Sequence, residues 1–564
     1  MPKTERKGRN RMYKRRDRWS AVILLSILMV ITCLYSAKES AAYGEQEIYF
    51  SVEDSFCAKD QWLELSTMLD SDIYYTMDGS VPTEESCLYE GPILMKAYEE
   101  VEAATIRAIA YYQDGSATDV YTRTYFLGKQ VEERFSTIVV AISTDPENLY
   151  GYENGILVPG KLRDDYIAEN PDAEITPRTP ANYNWRGMEG EREAYVEMWE
   201  PEGTCVVSQN MGIRVSGGTS RAADMKSLRL IARKEYGKSR IFYGLFPGAR
   251  SDAGNTALEE YKKVVLRNHG NDQGWGYLRN ELAQQLAADA GFRDAQAFRP
   301  AAVFINGEYY GFEWLEENYD DVYFHTHYGT RQEQGRWQVF TPHRGNANTA
   351  SEDEADIRAV LELNEVFSYK DQDLQDDEVF ARLQDMLDIE NFLQYSAIEL
   401  YLSNPDWPNN NCKAYRWYSR TGDYSNPCAD GKWRFLLYDV DVGMARTDSS
   451  KAANPTLGEA LGYLESGWDR DTPLLRAVLQ REDMRERFTE IMEELMEGAF
   501  SPEHAGEVIE EMEREIEDEL AFYGGDSTRW QEELEKIRDF FEQRPKNMRQ
   551  ELQMLSEYFL QEEG

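Results

Sequence analysis

Four side chains of this 564-residue sequence, Asp406, Asn411, Asp439 and Asp441, have the chemistry to handle a metal ion and a proton. Asp406 and Asn411 belong to the polar run Asn404-Pro405-Asp406-Trp407-Pro408-Asn409-Asn410-Asn411, which directly follows an apolar helical stretch. Polar residues at a helix end also serve simply to cap and turn the chain. The second pair follows the apolar run Phe435-Leu436-Leu437-Tyr438, and period 2 in an extended strand puts Asp439 and Asp441 on one face. Two like charges side by side cost stability unless a cation or a buried base pairs with them. An oxygen-ligated divalent ion such as Mg²⁺, or Mn²⁺, is the expected occupant.

Positioning these groups requires a large folded body. Hydrophobic residues make up 41% of the chain and aromatic residues 12%, ample for packed cores. Helices are expected over about 352–364, 376–386 and 389–402, and a hairpin over 414–418 and 432–438. The tail, 472–564, reads as helical, stopped at Gly498, at Gly524-Gly525 and at Arg544-Pro545. Upstream, strands are expected over 138–142, 213–215, 227–232 and 263–266, and a helix over 277–290. The Asn306-Gly307 turn joins strands over 301–305 and 309–315. Residues 46–128 read as a small all-β sandwich, followed by a linker-like hinge over 128–134. Loops are expected over 161–190, 337–351 and 445–470.

The charge is uneven. The chain carries a formal −42, yet Met1–Arg18 holds nine Lys or Arg against Glu5 and Asp17. An acidic body repels nucleic acid and suits a basic protein partner. Trp19–Ala37 is free of charge over 19 positions. It reads as a transmembrane anchor, with 1–18 a cytoplasmic head and the bulk of the chain extracytoplasmic; a cleaved signal segment is the alternative. Cys57 with Cys87, and Cys412 with Cys428, are candidate disulfide pairs, leaving Cys205 a buried thiol. His325 and His327 alternate as on a strand face and read as surface residues.

Asn411 lies five positions after Asp406, and Asp439 follows 28 after Asn411. Protein kinases use a similar order: an Asp that orients the hydroxyl nucleophile, an Asn that holds metal, and a further Asp that holds the metal at the phosphates. The flanking His-Arg and Phe-Gly of that pattern are absent. The landmarks Gly217-Gly218-Thr219-Ser220-Arg221, Lys226-Ser227-Leu228-Arg229-Leu230, Leu278-Arg279-Asn280-Glu281-Leu282, Phe304-Ile305-Asn306-Gly307, Asn404-Pro405-Asp406-Trp407 and Asp439-Val440-Asp441 run in order across 138–546. In this the sequence resembles the CotH-type atypical kinases, related to spore coat protein H.

That resemblance implies an α+β fold with a divergent, two-lobed kinase-like domain, 138–335 mixed and 352–546 mainly helical, ahead of a tail over 547–564. It implies Asp406 as the catalytic residue and Asn411, Asp439 and Asp441 as metal ligands. Arg221, Lys226 and Arg279 are the implied phosphate contacts, with Glu317 a structural partner. The implied activity is transfer of the ATP γ-phosphoryl to Ser or Thr of a coat, surface or secreted protein. Separately, Tyr74–Thr83 with Tyr89–Ile93 resembles the small sandwich appended to chitobiases and hexosaminidases, which implies a spacer, a docking module or a wall-glycan contact. A non-catalytic surface scaffold is the alternative function.

Overall fold

The computed structural model describes residues 48–446, 452–464 and 472–562. Strand-forming residues come first. Ser71–Thr76, Glu102–Tyr112 and Tyr121–Leu127 form the centre of a five-stranded sheet, completed by the short strands Phe56–Cys57 and Cys87–Leu88. The sandwich core collects Ile48, Leu63, Ile106 and Tyr125.

The expected hinge is packed instead. Val131–Arg134 forms a helical turn with Val131 buried. Phe126, Phe135, Trp199 and Phe304 meet around it edge to face, with centroids 5.0–6.1 Å apart. Such rings give both apolar burial and directional contact, so the sandwich is fixed on its neighbour.

That neighbour is a closed barrel of seven strands. Ile138–Ser143 pairs antiparallel with Glu191–Trp199, followed around the ring by Cys205–Val215, Leu228–Ile231, Lys263–Arg267, Glu308–Glu317 and Phe298–Ile305. The last strand closes the ring by pairing parallel to the first. Val140, Val196, Ile213, Leu230, Val264, Val303 and Leu315 fill the interior. The strands Gly335–Phe340, Lys413–Ser419 and Arg434–Leu436 form a separate sheet beside the helices.

The helical half is built on Ile389–Tyr401, buried over nine of its 13 residues. Arg544 finishes this helix: its Nε donates to the Tyr401 carbonyl at 2.9 Å and Nη2 to that of Leu400 at 2.8 Å. A guanidinium at a helix C-terminus satisfies orphan carbonyls and meets the negative end of the dipole. The chain therefore does not stop at Arg544-Pro545; Pro545 lies inside the long helix Ser527–Glu562.

Several expectations are corrected. The fold is α+β with a closed β-barrel, and among the described residues no helix is long and apolar enough to cross a membrane. The described residues thus give no support to the expected transmembrane helix, to membrane contact through it or to the membrane-anchored, extracytoplasmic placement. The segment Trp19–Ala37 lies outside the described residues. Gly160–Glu169 is a helix rather than loop, and His325 and His327 are buried on the helix Asp321–Tyr328. All five described cysteines are free, and Cys205 is exposed.

Glu313, on a barrel strand, is a buried carboxyl left without a hydrogen-bond partner. It shares the strand face of Leu315 and is in register with Ala301, both core residues, and neither of its oxygens has a partner. Burial alone pushes its pKa well above the ordinary carboxylate value. A carboxyl protonated in the folded state gives stability that is full below its unfolded pKa of about 4.3 and is lost as pH rises through the folded value. We expect Glu313→Leu to raise stability at pH 7 by about 1–3 kcal/mol and to flatten the decline above about pH 4.5. Urea unfolding at several pH values measures both; equal stability of the two proteins at pH 7 would refute it.

Candidate active site

The barrel and the helical half meet at a cleft of about 620 Å³. Its barrel side is made by the ends of Leu228–Ile231 and Lys263–Arg267 and by the loop Ser216–Ser220. Its other side is made by Asp406–Lys413 and Tyr438–Asp441. The sequence-nominated Asp406, Asn411, Asp439 and Asp441 all line it.

Arg267, which sequence reading missed, stands at the centre. Its Nη2 donates to Asp439 Oδ1 at 2.6 Å and to Asp441 Oδ2 at 2.8 Å. Glu281 and Glu316 lie 3.8 and 3.9 Å from the same guanidinium. Burial pulls its pKa down, but Asp441, Asp439 and the two glutamates outweigh burial and hold it well above the ordinary value. The two aspartates are thus reconciled by a resident guanidinium.

Asp441 is fully buried and used up within the protein. Besides Arg267, it accepts from the Asn271 backbone N–H at 2.8 Å and from Asn271 Nδ2 at 3.1 Å. Gly270 makes this approach possible: its φ is +57°, and a Cβ there would meet Asp441 Oδ2 at 2.1 Å. Asp439 is different, with a side chain 31% exposed and only Oδ1 bound to Arg267. Burial, then Asp441, raise its pKa against the pull of Arg267.

The helix Ile389–Tyr401 leads into Asp406 through a polar relay. Asn404 donates to Glu399 Oε2 at 2.9 Å and accepts from the Asp406 backbone N–H at 3.2 Å. Burial raises Glu399 to about 8. Asp406 is itself raised, by burial and then by Asp441. Asn411 Nδ2 donates to Asp406 Oδ2 at 3.3 Å and to the Asp439 carbonyl at 3.0 Å, joining the two halves of the site. Its φ of +52° is tolerated by Asn better than by most side chains.

The nominated cations lie elsewhere. Arg221 donates to the carbonyls of Gly217, Tyr183 and Trp185, bracing the glycine loop. Lys226 donates to the Ala223 carbonyl at 2.6 Å and is 5% exposed. Arg279 is fully buried between Asp272 at 2.5 Å and Glu533 at 2.8 Å. Glu317 reaches the cleft wall and receives His327 at 3.0 Å. Burial lowers the His327 pKa, but Glu317 and Asp252 overcome it and raise it to about 9.

The cations that do line the cleft are Arg267, Arg229, Arg178 and Lys413. Sequence reading missed Arg229 too, although its place between core-facing Leu228 and Leu230 turns it, by period 2, away from the barrel interior. No group of three or more His, Cys, Asp or Glu among the described residues is gathered to hold a metal by itself. The donors suited to an ion shared with a ligand are the second oxygen of Asp439 and the amide oxygen of Asn411, since Asp441 is occupied by Arg267 and Asn271.

A barrel is thus joined to a helical half, and Asp406, Asn411 and Asp439 line the cleft between them. Residues 213–548 match the family described as CotH kinase protein, and the chain belongs to that family. Residues 63–125 match the family described as Fn3 associated, which supports an accessory β-sandwich and not specifically one of the chitobiase type. No curated protein matches the chain significantly.

Removing one partner of a buried charge cluster strands the others. Arg267→Met should cost about 3–5 kcal/mol, and adding Asp439→Asn and Asp441→Asn should restore part of it. Chemical denaturation of the single and triple variants measures this. A loss below about 1 kcal/mol would show that the carboxylates do not depend on the guanidinium.

Proposed function

We propose that the chain transfers the γ-phosphoryl group of ATP to a Ser or Thr hydroxyl of a basic protein. The observation that carries this reading is the convergence of Asp406, Asn411 and Asp439 on one cleft, with Asn411 hydrogen-bonded to both aspartates' segments. Family membership supports the same class of chemistry.

The substrate hydroxyl oxygen forms the new bond to the γ-phosphorus as the bond to the bridging oxygen breaks, and that oxygen leaves on ADP. Asp406 aligns the hydroxyl and receives its proton. Its raised pKa suits a group that must hold that proton at the end of transfer. Asn404 and Glu399 set the height and direction of its backbone. A divalent ion, Mg²⁺ or Mn²⁺, held by Asp439 and Asn411, would supply neutralisation of the phosphate charge. Asp441 keeps Arg267 in place and is a positioning residue. The acidic chain, at −42, favours encounter with a basic substrate.

Asp406→Asn should reduce transfer of labelled phosphate from ATP to a basic Ser/Thr peptide by roughly 100-fold or more, with stability within about 1 kcal/mol of wild type. Transfer at the wild-type rate would rule out the role given to Asp406.

A further inference from the structure

A second hollow, of about 280 Å³, lies in the helical half behind the loop that carries Asp406 and Asn411. Phe367, Phe392, Trp407, Phe435 and Leu475 give it apolar walls. Tyr395 stacks on Phe435 with centroids 5.3 Å apart and planes 12° from parallel, and Trp407 stands edge-on to Tyr395 at 6.1 Å. A ring-lined space of this size suits a small, flat apolar group. Trp407 and Cys412 line this hollow, whereas their neighbours Asp406 and Asn411 line the cleft. The two spaces stand back to back across one short loop.

Polar groups occur at two places in it. Tyr395 is 1% exposed, and its hydroxyl makes no hydrogen bond among the described residues. Cys412 and Glu399 stand beside that hydroxyl, and the buried Glu399 Oε1 is equally without a hydrogen bond. Buried donors and acceptors are nearly always satisfied, by protein, by water or by a ligand, and a thiol is only a weak partner. At the open end, Lys370 and Arg344 are both exposed. The lining contains no Asp or Glu, although the chain has 103 of them. The lining itself is therefore positive in a strongly acidic protein, which favours an anion there.

We propose that this hollow binds a small aromatic carboxylate. Its rings lie among the aromatic walls, its acid group meets Lys370 at the open end, and a polar ring substituent pairs with the Tyr395 hydroxyl. The ligand rests on Trp407, next to Asp406, so its binding restrains the loop from the side away from the cleft. The site needs neither nucleotide nor metal, and it stands or falls apart from the phosphoryl transfer proposed above.

The test is calorimetric titration of the full chain, without nucleotide or metal, with 6-hydroxy-2-naphthoate and with 2-naphthoate, which lacks the hydroxyl. Wild type should bind the hydroxy acid more tightly, and hydrogen exchange over residues 404–412 should slow when it is bound. Tyr395→Phe should weaken the hydroxy acid by about fivefold and leave 2-naphthoate unchanged. Lys370→Gln, a surface substitution, should weaken both acids by about three- to fivefold. Without ligand, Tyr395→Phe should unfold at or above the wild-type temperature, because no hydrogen bond is lost. No binding to wild type would overturn the proposal. So would binding that neither substitution changes, binding that leaves exchange over 404–412 as it was, or a lowered unfolding temperature with equal loss of both acids in Tyr395→Phe.

Discussion

One guanidinium, that of Arg267, holds the centre of this molecule. It ends a barrel strand and neutralises two aspartates that follow the last strand of the sheet beside the helices, with two further glutamates behind it. Buried like charges repel strongly in a medium of low dielectric, and a paired cation converts that repulsion into attraction across the interface. The barrel and helical halves are therefore joined where the cleft opens. Gly270 lets the backbone pass close to the pair, and Asn271 takes up the remaining acceptors of Asp441.

This division of labour clarifies the acidic residues. Asp441 is closed off by Arg267 and Asn271, whereas Asp439 keeps an oxygen toward the cleft and Asp406 stands across from it. Asn411 spans the two segments. Behind Asp406, Asn404 and Glu399 link the loop to a helix whose end is fixed by Arg544. The relevant geometry thus rests on buried polar contacts as much as on the apolar core, and such networks specify one arrangement when their members are satisfied.

The strands and helices were legible wherever apolar periodicity was strong: the Asn306-Gly307 hairpin, the helix Ile389–Tyr401 and the barrel strands with Val, Ile and Leu on alternate positions. The convergence of Asp439 and Asp441 was also legible, though for an incomplete reason. The strand ends at Leu436, and Asp439 has a φ of +57°, so Arg267 rather than strand alternation gathers the two carboxylates. Which cations serve the cleft was not legible from motif position. Arg279 finds Glu533, 254 residues away, and Arg221 finds carbonyls 36–38 residues upstream. Pro545 read as a stop because local sequence carries no sign that Arg544 binds the end of another helix. Barrel closure was likewise hidden, since it depends on parallel pairing between Ile138–Ser143 and Phe298–Ile305.

The central claim is that Asp439, placed by Arg267, keeps an oxygen for a metal shared with a bound nucleotide. Electron paramagnetic resonance of Mn²⁺ titrated into the full chain, with and without AMP-PNP, tests it most directly. The expected result is one Mn²⁺ bound per chain only when the nucleotide analogue is present, lost in Asp439→Ala and kept in wild type. Nucleotide-dependent Mn²⁺ binding that is equally tight in Asp439→Ala, or no such binding in wild type, would contradict it.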